Sequence, residues 1–150
     1  MPVRLQDIAQ RLRAQGLRVT AQRVAVLAFI TRMPHHPDAE TVRAAVELEL
    51  GSVSTQAVYD TLHILTSAGL LRCIEPAGHP ARYETRVADN HHHLICRACG
   101  DTRDIDCAVG HAPCLDPSES DGFVIDEAEV IFWGLCPRCR NTERPTKGTP

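Results

Sequence analysis

The sequence predicts an α+β chain, with an amino-terminal winged helix-turn-helix followed by a smaller, cysteine-bearing part built from strands. Three observations carry this. Four apolar stripes at helical spacing precede a hairpin pattern, two Cys-x-x-Cys pairs bracket the second half, and a triple histidine stands directly before the first pair.

Leu5, Ile8, Ala9 and Leu12 form the first stripe, which stops at Gly16 in the position of a C′ glycine. Thr20 is placed to cap a second helix with Val24, Leu27 and Ala28 inward, ending before Pro34. Asp38 caps a third, carrying Val42, Ala45 and Val46, and Ser54 a fourth, in which Val58, Leu62 and Leu65 recur at i, i+4 and i+7. After Gly69, Leu70 to Ile74 and Arg82 to Thr85 read as two strands around the turn Glu75-Pro-Ala-Gly-His-Pro80. In a winged helix of this order the fourth helix enters a DNA major groove. It would present Thr55, Gln56, Tyr59, Asp60 and His63, while arginines of the first two helices meet phosphates or the minor groove.

Charge supports that orientation. The net charge of -3 conceals six arginines (Arg4, Arg11, Arg13, Arg18, Arg23, Arg32) against Asp7 in residues 1–34, whereas residues 101–131 carry nine acids and only Arg103. A polyanion is drawn to the first region and repelled by the second. A hydrophobic content of 43% over 150 residues can bury one core or two small ones. No long apolar run or export signal is visible, and the cysteine count is odd, so the expected location is the reducing cytoplasm, with no membrane partner.

Cys96/Cys99 and Cys136/Cys139 have the spacing by which two tight turns deliver four thiolates to one tetrahedral Zn²⁺, and Gly100 and Pro137 punctuate those turns. The alternatives are a thioredoxin-like redox pair, which would not explain the second Cys-x-x-Cys, and a disulfide framework. Such a zinc is structural, because it closes a segment whose own core is small. In a strand starting near His91, side chains alternate, so His91 and His93 share a face and His92 takes the other. With His36, Glu84 and Asp104 they make a nitrogen and oxygen set suited to Fe²⁺ or Mn²⁺, with Zn²⁺ a further candidate. Phe123 to Leu135 alternates apolar residues as a central strand does, with Phe123, Ile125, Ile131 and Trp133 directed to a core or dimer contact. Residues 143–150 read as a disordered tail.

The chain resembles the Fur (ferric uptake regulator) superfamily of metal-dependent repressors over nearly its whole length. The resemblance rests on Leu17-Arg-Val-Thr20-x-x-Arg23, His36-Pro37, Ser54-x-x-x-Val58-Tyr59-x-x-Leu62, Gly69-Leu70 and Arg82-Tyr83-Glu84. It rests above all on Asn90-His-His-His-Leu-Ile-Cys-Arg-Ala-Cys-Gly100 with Gly134-x-Cys136-x-x-Cys139. It implies a winged-helix DNA-binding domain (1–85), a hinge (86–90) and an α/β dimerisation domain (91–142). It also implies a homodimer on a palindromic A·T-rich double-stranded operator, structural zinc on the four cysteines, and a regulatory site of His36, Glu84, His91, His93 and Asp104.

Among the DNA-binding positions (Arg18, Thr20, Arg23, Thr55, Gln56, Tyr59), the resemblance puts Arg18 in the minor groove and Tyr59 against thymine. Asp60 departs from the basic or amide residue often found there. Asp104 and the segments Asp106-Cys107-Ala-Val-Gly-His111-Ala-Pro-Cys114 and Asp126-Glu-Ala-Glu-Val-Ile resemble peroxide-sensing PerR-type and actinobacterial FurA/CatR-type members. These imply control of a catalase-peroxidase or other oxidative-stress gene, with His36 and His91 as oxidation targets. Iron or zinc uptake control is the alternative within the family.

His92, His111 and Glu129 are candidates for an accessory metal site, although Asn90 and Ala128 stand where ligands are often found. Cys107 and Cys114 are candidates for a thiol switch or simple packing, and Cys73 for packing on a wing strand. Two readings of other classes remain at this point. One is a zinc hydrolase or deaminase with His91 and His93 on a catalytic ion and Glu84 as general base; the other is a thiol redox protein using Cys107 and Cys114.

Overall fold

A computed structural model describes residues 4–87, 91–106, 121–124 and 129–142. Asn90, Cys107, His111, Cys114, Ile125, Ala128, the end of the hinge and the tail lie outside the described residues. The chain divides into two compact units, Met1–Ala88 and Asp89–Pro150.

The first unit contains α1 (Leu5–Ala14), α2 (Ala21–Arg32), α3 (Ala39–Leu50), α4 (Thr55–Ser67) and a two-stranded wing, β1 (Arg72–Ile74) and β2 (Arg82–Glu84). Three helices start where short polar side chains satisfy the otherwise unpaired first-turn amides. Thr20 accepts from the Arg23 N–H, Asp38 from Thr41 and Ser54 from Ala57. α1 starts at Arg4 without a side-chain cap. Its inward stripe narrows to Ile8 and Leu12, because Leu5 is exposed.

The core joins Ile8 and Leu12 to Ala25, Val26, Leu27, Ala28 and Ile30 of α2, to Val42 and Val46 of α3, and to Val58, Leu62 and Leu65 of α4. α2 is thus buried over most of its circumference. That is why its neighbours pack around it and why it carries more apolar residues than a single stripe needs.

The first wing strand is shorter than the expected Leu70–Ile74. Gly69 adopts φ +69°, and the N–H groups of Leu70 and Leu71 both donate to the Leu65 carbonyl, at 2.9 and 3.3 Å. Those two leucines therefore close α4 and enter the core, and pairing begins with Arg72 opposite Glu84. Cys73, opposite Tyr83, packs half-buried against that core.

The second unit is a three-stranded sheet in the order β4-β3-β5, with β3 (His91–Cys96), β4 (Thr102–Asp106) and β5 (Ile131–Gly134), followed by α5 (Pro137–Thr142). β4 runs antiparallel and β5 parallel to β3. The last strand begins at Ile131 rather than near Phe123. Asp121 and Gly122 turn the chain with φ of 46° and 80°, and Phe123 and Val124 are 77% and 96% exposed. Ile131 and Trp133 are half-buried.

Candidate metal centres

Cys96 ends β3, and Cys99 lies in the turn to β4, where Gly100 at φ +70° donates its N–H to the Cys96 carbonyl. Cys136 directly follows β5, and Cys139 lies in the first turn of α5, which Pro137 opens. The parallel register sets Cys96 beside Gly134, so both turns emerge at one end of the sheet.

The four Sγ atoms all lie within 4.8 Å of one another, and Cys99 and Cys136 are 3.8 Å apart. Zinc–sulfur bonds of about 2.3 Å in a tetrahedron require S···S edges of about 3.8 Å, so the donor set fits Zn²⁺ in size as well as in softness. The local field favours thiolate at Cys96 and Cys136. The Cys136 N–H donates to Cys96 Sγ at 3.4 Å and, with further amides of the turn, brings the Cys96 thiol down to about 6. The Cys139 N–H, outweighing burial, likewise lowers Cys136, while Cys139, hydrogen-bonded to Cys136 and Cys99, is pushed up to about 12. Crowded thiols sharing protons in this way are what a divalent cation resolves.

The nitrogen and oxygen donors form one group in each unit. In the first, Pro37 accepts from the Tyr83 N–H at 3.0 Å, and Asp38 bridges to Arg82. The segment before α3 thus lies along the wing. This sets His36 Nε2 2.9 Å from Glu84 Oε2, both side chains buried.

In the second unit, His91 Nε2 and His93 Nε2 are 3.1 Å apart, and each is 3.6 Å from Asp104 Oδ1. The antiparallel register places Asp104 directly opposite His93. Ligands about 2.1 Å from an ion are separated by roughly 3.0 Å at octahedral and 3.4 Å at tetrahedral angles, so this triangle has the dimensions of one metal face. Two imidazoles and one carboxylate are donors that suit Fe²⁺ or Mn²⁺.

Residues 14–132 match the model of the ferric uptake regulator family. The chain belongs to that family. It is 59% identical over 133 residues to the transcriptional regulator FurA of Mycobacterium tuberculosis, covering 89% of this chain and 90% of the relative. Its identity to the peroxide operon regulator of Bacillus subtilis is 28% over 144 residues, covering 93% and 95%. Among solved structures, the ferric uptake regulator of Helicobacter pylori superposes with a TM-score of 0.71 at 20% identity, covering 95% of this chain and 97% of that one, a likeness of fold.

This Fur-family chain is therefore a metal-responsive transcriptional regulator and not an enzyme, which removes the hydrolase, deaminase and thiol oxidoreductase readings. Among the described residues, no helix is long and apolar enough to cross a membrane.

The remaining candidates fall as follows. His92 is fully buried on the other face of β3 with its ring against Phe132, and neither ring nitrogen has a partner among the described residues. Glu129, grouped with His92 from the sequence, instead places Oε1 3.1 Å from His93 Nδ1. Thr55, Gln56 and Tyr59 are exposed on α4, where Gln56 Nε2 donates to Asp60 Oδ1 at 2.8 Å. Arg18 is exposed, Thr20 serves as the α2 cap, and Arg23 Nη1 donates to the Arg18 carbonyl at 2.8 Å, bracing the turn that presents Arg18.

One residue was missed from the sequence. Gln22 Nε2 donates to the Ala57 carbonyl at 2.6 Å and to Thr61 Oγ1 at 3.0 Å, tying α2 to α4. A glutamine next to a capped helix start carries no local signal of this.

Proposed function

We propose that the protein is a metal-dependent repressor that binds a palindromic A·T-rich operator as a homodimer and releases it when peroxide oxidises the regulatory site. The carrying observation is the triangle of His91 Nε2, His93 Nε2 and Asp104 Oδ1, whose 3.1–3.6 Å edges match one face of a coordinated Fe²⁺ or Mn²⁺. The His36–Glu84 pair of the first unit supplies the further donors, a reading that rests on the family motif. Zn²⁺ on Cys96, Cys99, Cys136 and Cys139 holds the second unit together and does not sense.

A bound ferrous ion would activate peroxide, which would give one oxygen atom to a ligand imidazole and lose the other as water, a net two-electron oxidation of the ring. The protein supplies the rest. The two imidazoles of β3 hold their Nε2 atoms toward the ion within a buried strand, and Asp104 gives the shared site a negative charge. Because ligands come from both sides of the hinge, ion binding favours the conformers in which the winged helices match the operator half-sites. The α4 residues Thr55, Gln56 and Tyr59 then read the major groove while Arg18 enters the minor groove.

Gel shifts of the full chain with Fe²⁺, Mn²⁺ and chelator provide the test, followed by peptide mass spectrometry after peroxide. Operator binding requires the ion, and peroxide releases the Fe²⁺ form while adding one oxygen atom to His36 or His91. The Mn²⁺ form resists. DNA binding that ignores metal sinks the repressor mechanism. Intact histidine peptides after release sink the peroxide reading and favour iron-uptake control, the function named for other members of the family.

A further inference from the structure

The second nitrogen of His93 has a partner that the regulatory donor set does not include. His93 is wholly buried, and Glu129 Oε1 lies 3.1 Å from its Nδ1. The contact is built by the backbone: the His93 N–H donates to the Val130 carbonyl at 3.2 Å, extending the β3·β5 pairing by one residue and setting Glu129 beside the imidazole.

A carboxylate only accepts hydrogen bonds, so the proton of this contact belongs to Nδ1. A neutral ring protonated there carries its lone pair on Nε2. That is the atom 3.1 Å from His91 Nε2 and 3.6 Å from Asp104 Oδ1. The partner on one ring nitrogen thus decides which nitrogen is free to ligate.

We propose that Glu129 is a positioning residue that holds His93 with its proton on Nδ1 and its Nε2 lone pair toward the regulatory ion, without ligating that ion itself. This rests on the reading of His93 as a regulatory ligand. Glu129 is 36 positions from His93 in the sequence, and its side chain is about one-third exposed. Its effect is therefore exerted through the buried imidazole, where it is shielded, rather than through its own charge at the surface.

The test uses the full chain with zinc on its four thiols and Mn²⁺ as probe, followed by loss of the free-ion EPR signal. Wild type binds one ion tightly; absence of that binding overturns the regulatory-site reading itself. Given wild-type binding, Glu129→Ala weakens Mn²⁺ by about 10- to 100-fold, as loss of an outer partner of a ligating histidine does. Glu129→Gln, whose amide oxygen still accepts from Nδ1–H, falls between the two.

Glu129→Ala within about twofold of wild type, well short of that 10- to 100-fold range, overturns the proposal. So does Glu129→Gln no better than Glu129→Ala, which would make Glu129 a direct ligand. A second readout is independent of affinity. In the Mn²⁺-free protein, ¹⁵N imidazole shifts show His93 as the Nδ1–H tautomer in wild type and as a mixture in Glu129→Ala, and an Nε2–H tautomer in wild type refutes the assignment.

Discussion

Removing one thiol of the cysteine cluster should unfold the second unit and leave the first standing. The two units differ sharply in what holds them. Seventeen apolar side chains are buried in the first, from Ile8 to Tyr83, whereas among the described residues of the second only Ile95 and Cys96 are. Burying an isoleucine contributes about 1.5–3 kcal/mol, whereas a structural zinc site contributes on the order of 10 kcal/mol or more at neutral pH. Net domain stabilities are about 5–15 kcal/mol, so losing the ion removes an amount comparable to the whole margin of a unit this size.

Cys99→Ser is the apt perturbation, because Cys99 is exposed and its Sγ is 3.8 Å from Cys136, making it a corner of the proposed zinc tetrahedron and not of a core. The reporter is built in. Trp133 is the single tryptophan and lies on β5, half-buried with the Arg97 guanidinium 5.2 Å from its ring centroid. Its fluorescence therefore follows the second unit, while among the described residues the far-ultraviolet helix signal comes chiefly from α1 to α4. In Cys99→Ser, or in wild type treated with a thiol reagent that expels zinc, Trp133 emission shifts to the red and most of the helix signal persists. Unchanged Trp133 emission in protein shown by metal analysis to lack zinc would refute the reasoning, as would simultaneous loss of both signals.

Two further expectations concern the first unit. Burial raises the Asp38 carboxyl, but the hydrogen bonds from Thr41 and the charge of Arg82 outweigh it and hold the group below the usual aspartate range. The folded state therefore prefers the carboxylate, and the cap's stabilisation is present above about pH 4 and lost as pH falls through the lowered value. Asp38→Ala costs about 1 kcal/mol at neutral pH in thermal unfolding, and the gap to wild type narrows in acid; a gap that widens in acid contradicts this. Gln22→Ala removes both links from α2 to α4 and should cost roughly 1 kcal/mol, with operator affinity falling alongside because α4 loses its tether. Stability and affinity both unchanged would show that apolar packing alone seats α4.

The sequence by itself determined whatever depends on neighbours within a turn or two. Thr20, Asp38 and Ser54 cap because their oxygens need only reach an amide three residues ahead. The apolar periods of α3 and α4 define their inner faces for the same reason. Strand alternation likewise separates His92 from the Nε2 pair of His91 and His93, and each Cys-x-x-Cys announces a turn with two thiols. Local reading failed where tertiary pairing competes with pattern: Leu70 and Leu71 suit a strand but close α4, and Phe123 continues an apolar alternation across a turn that leaves it exposed.

Only the tertiary structure decided which distant partners meet. The parallel register of β3 with β5 brings two cysteine turns to one end of the sheet and Glu129 onto His93, and Gln22 finds the carbonyl of Ala57 35 residues away. The physical reason is that a metal face and a hydrogen bond require ångström-scale placement in three dimensions, whereas sequence spacing conveys only what the chain's own local geometry can reach.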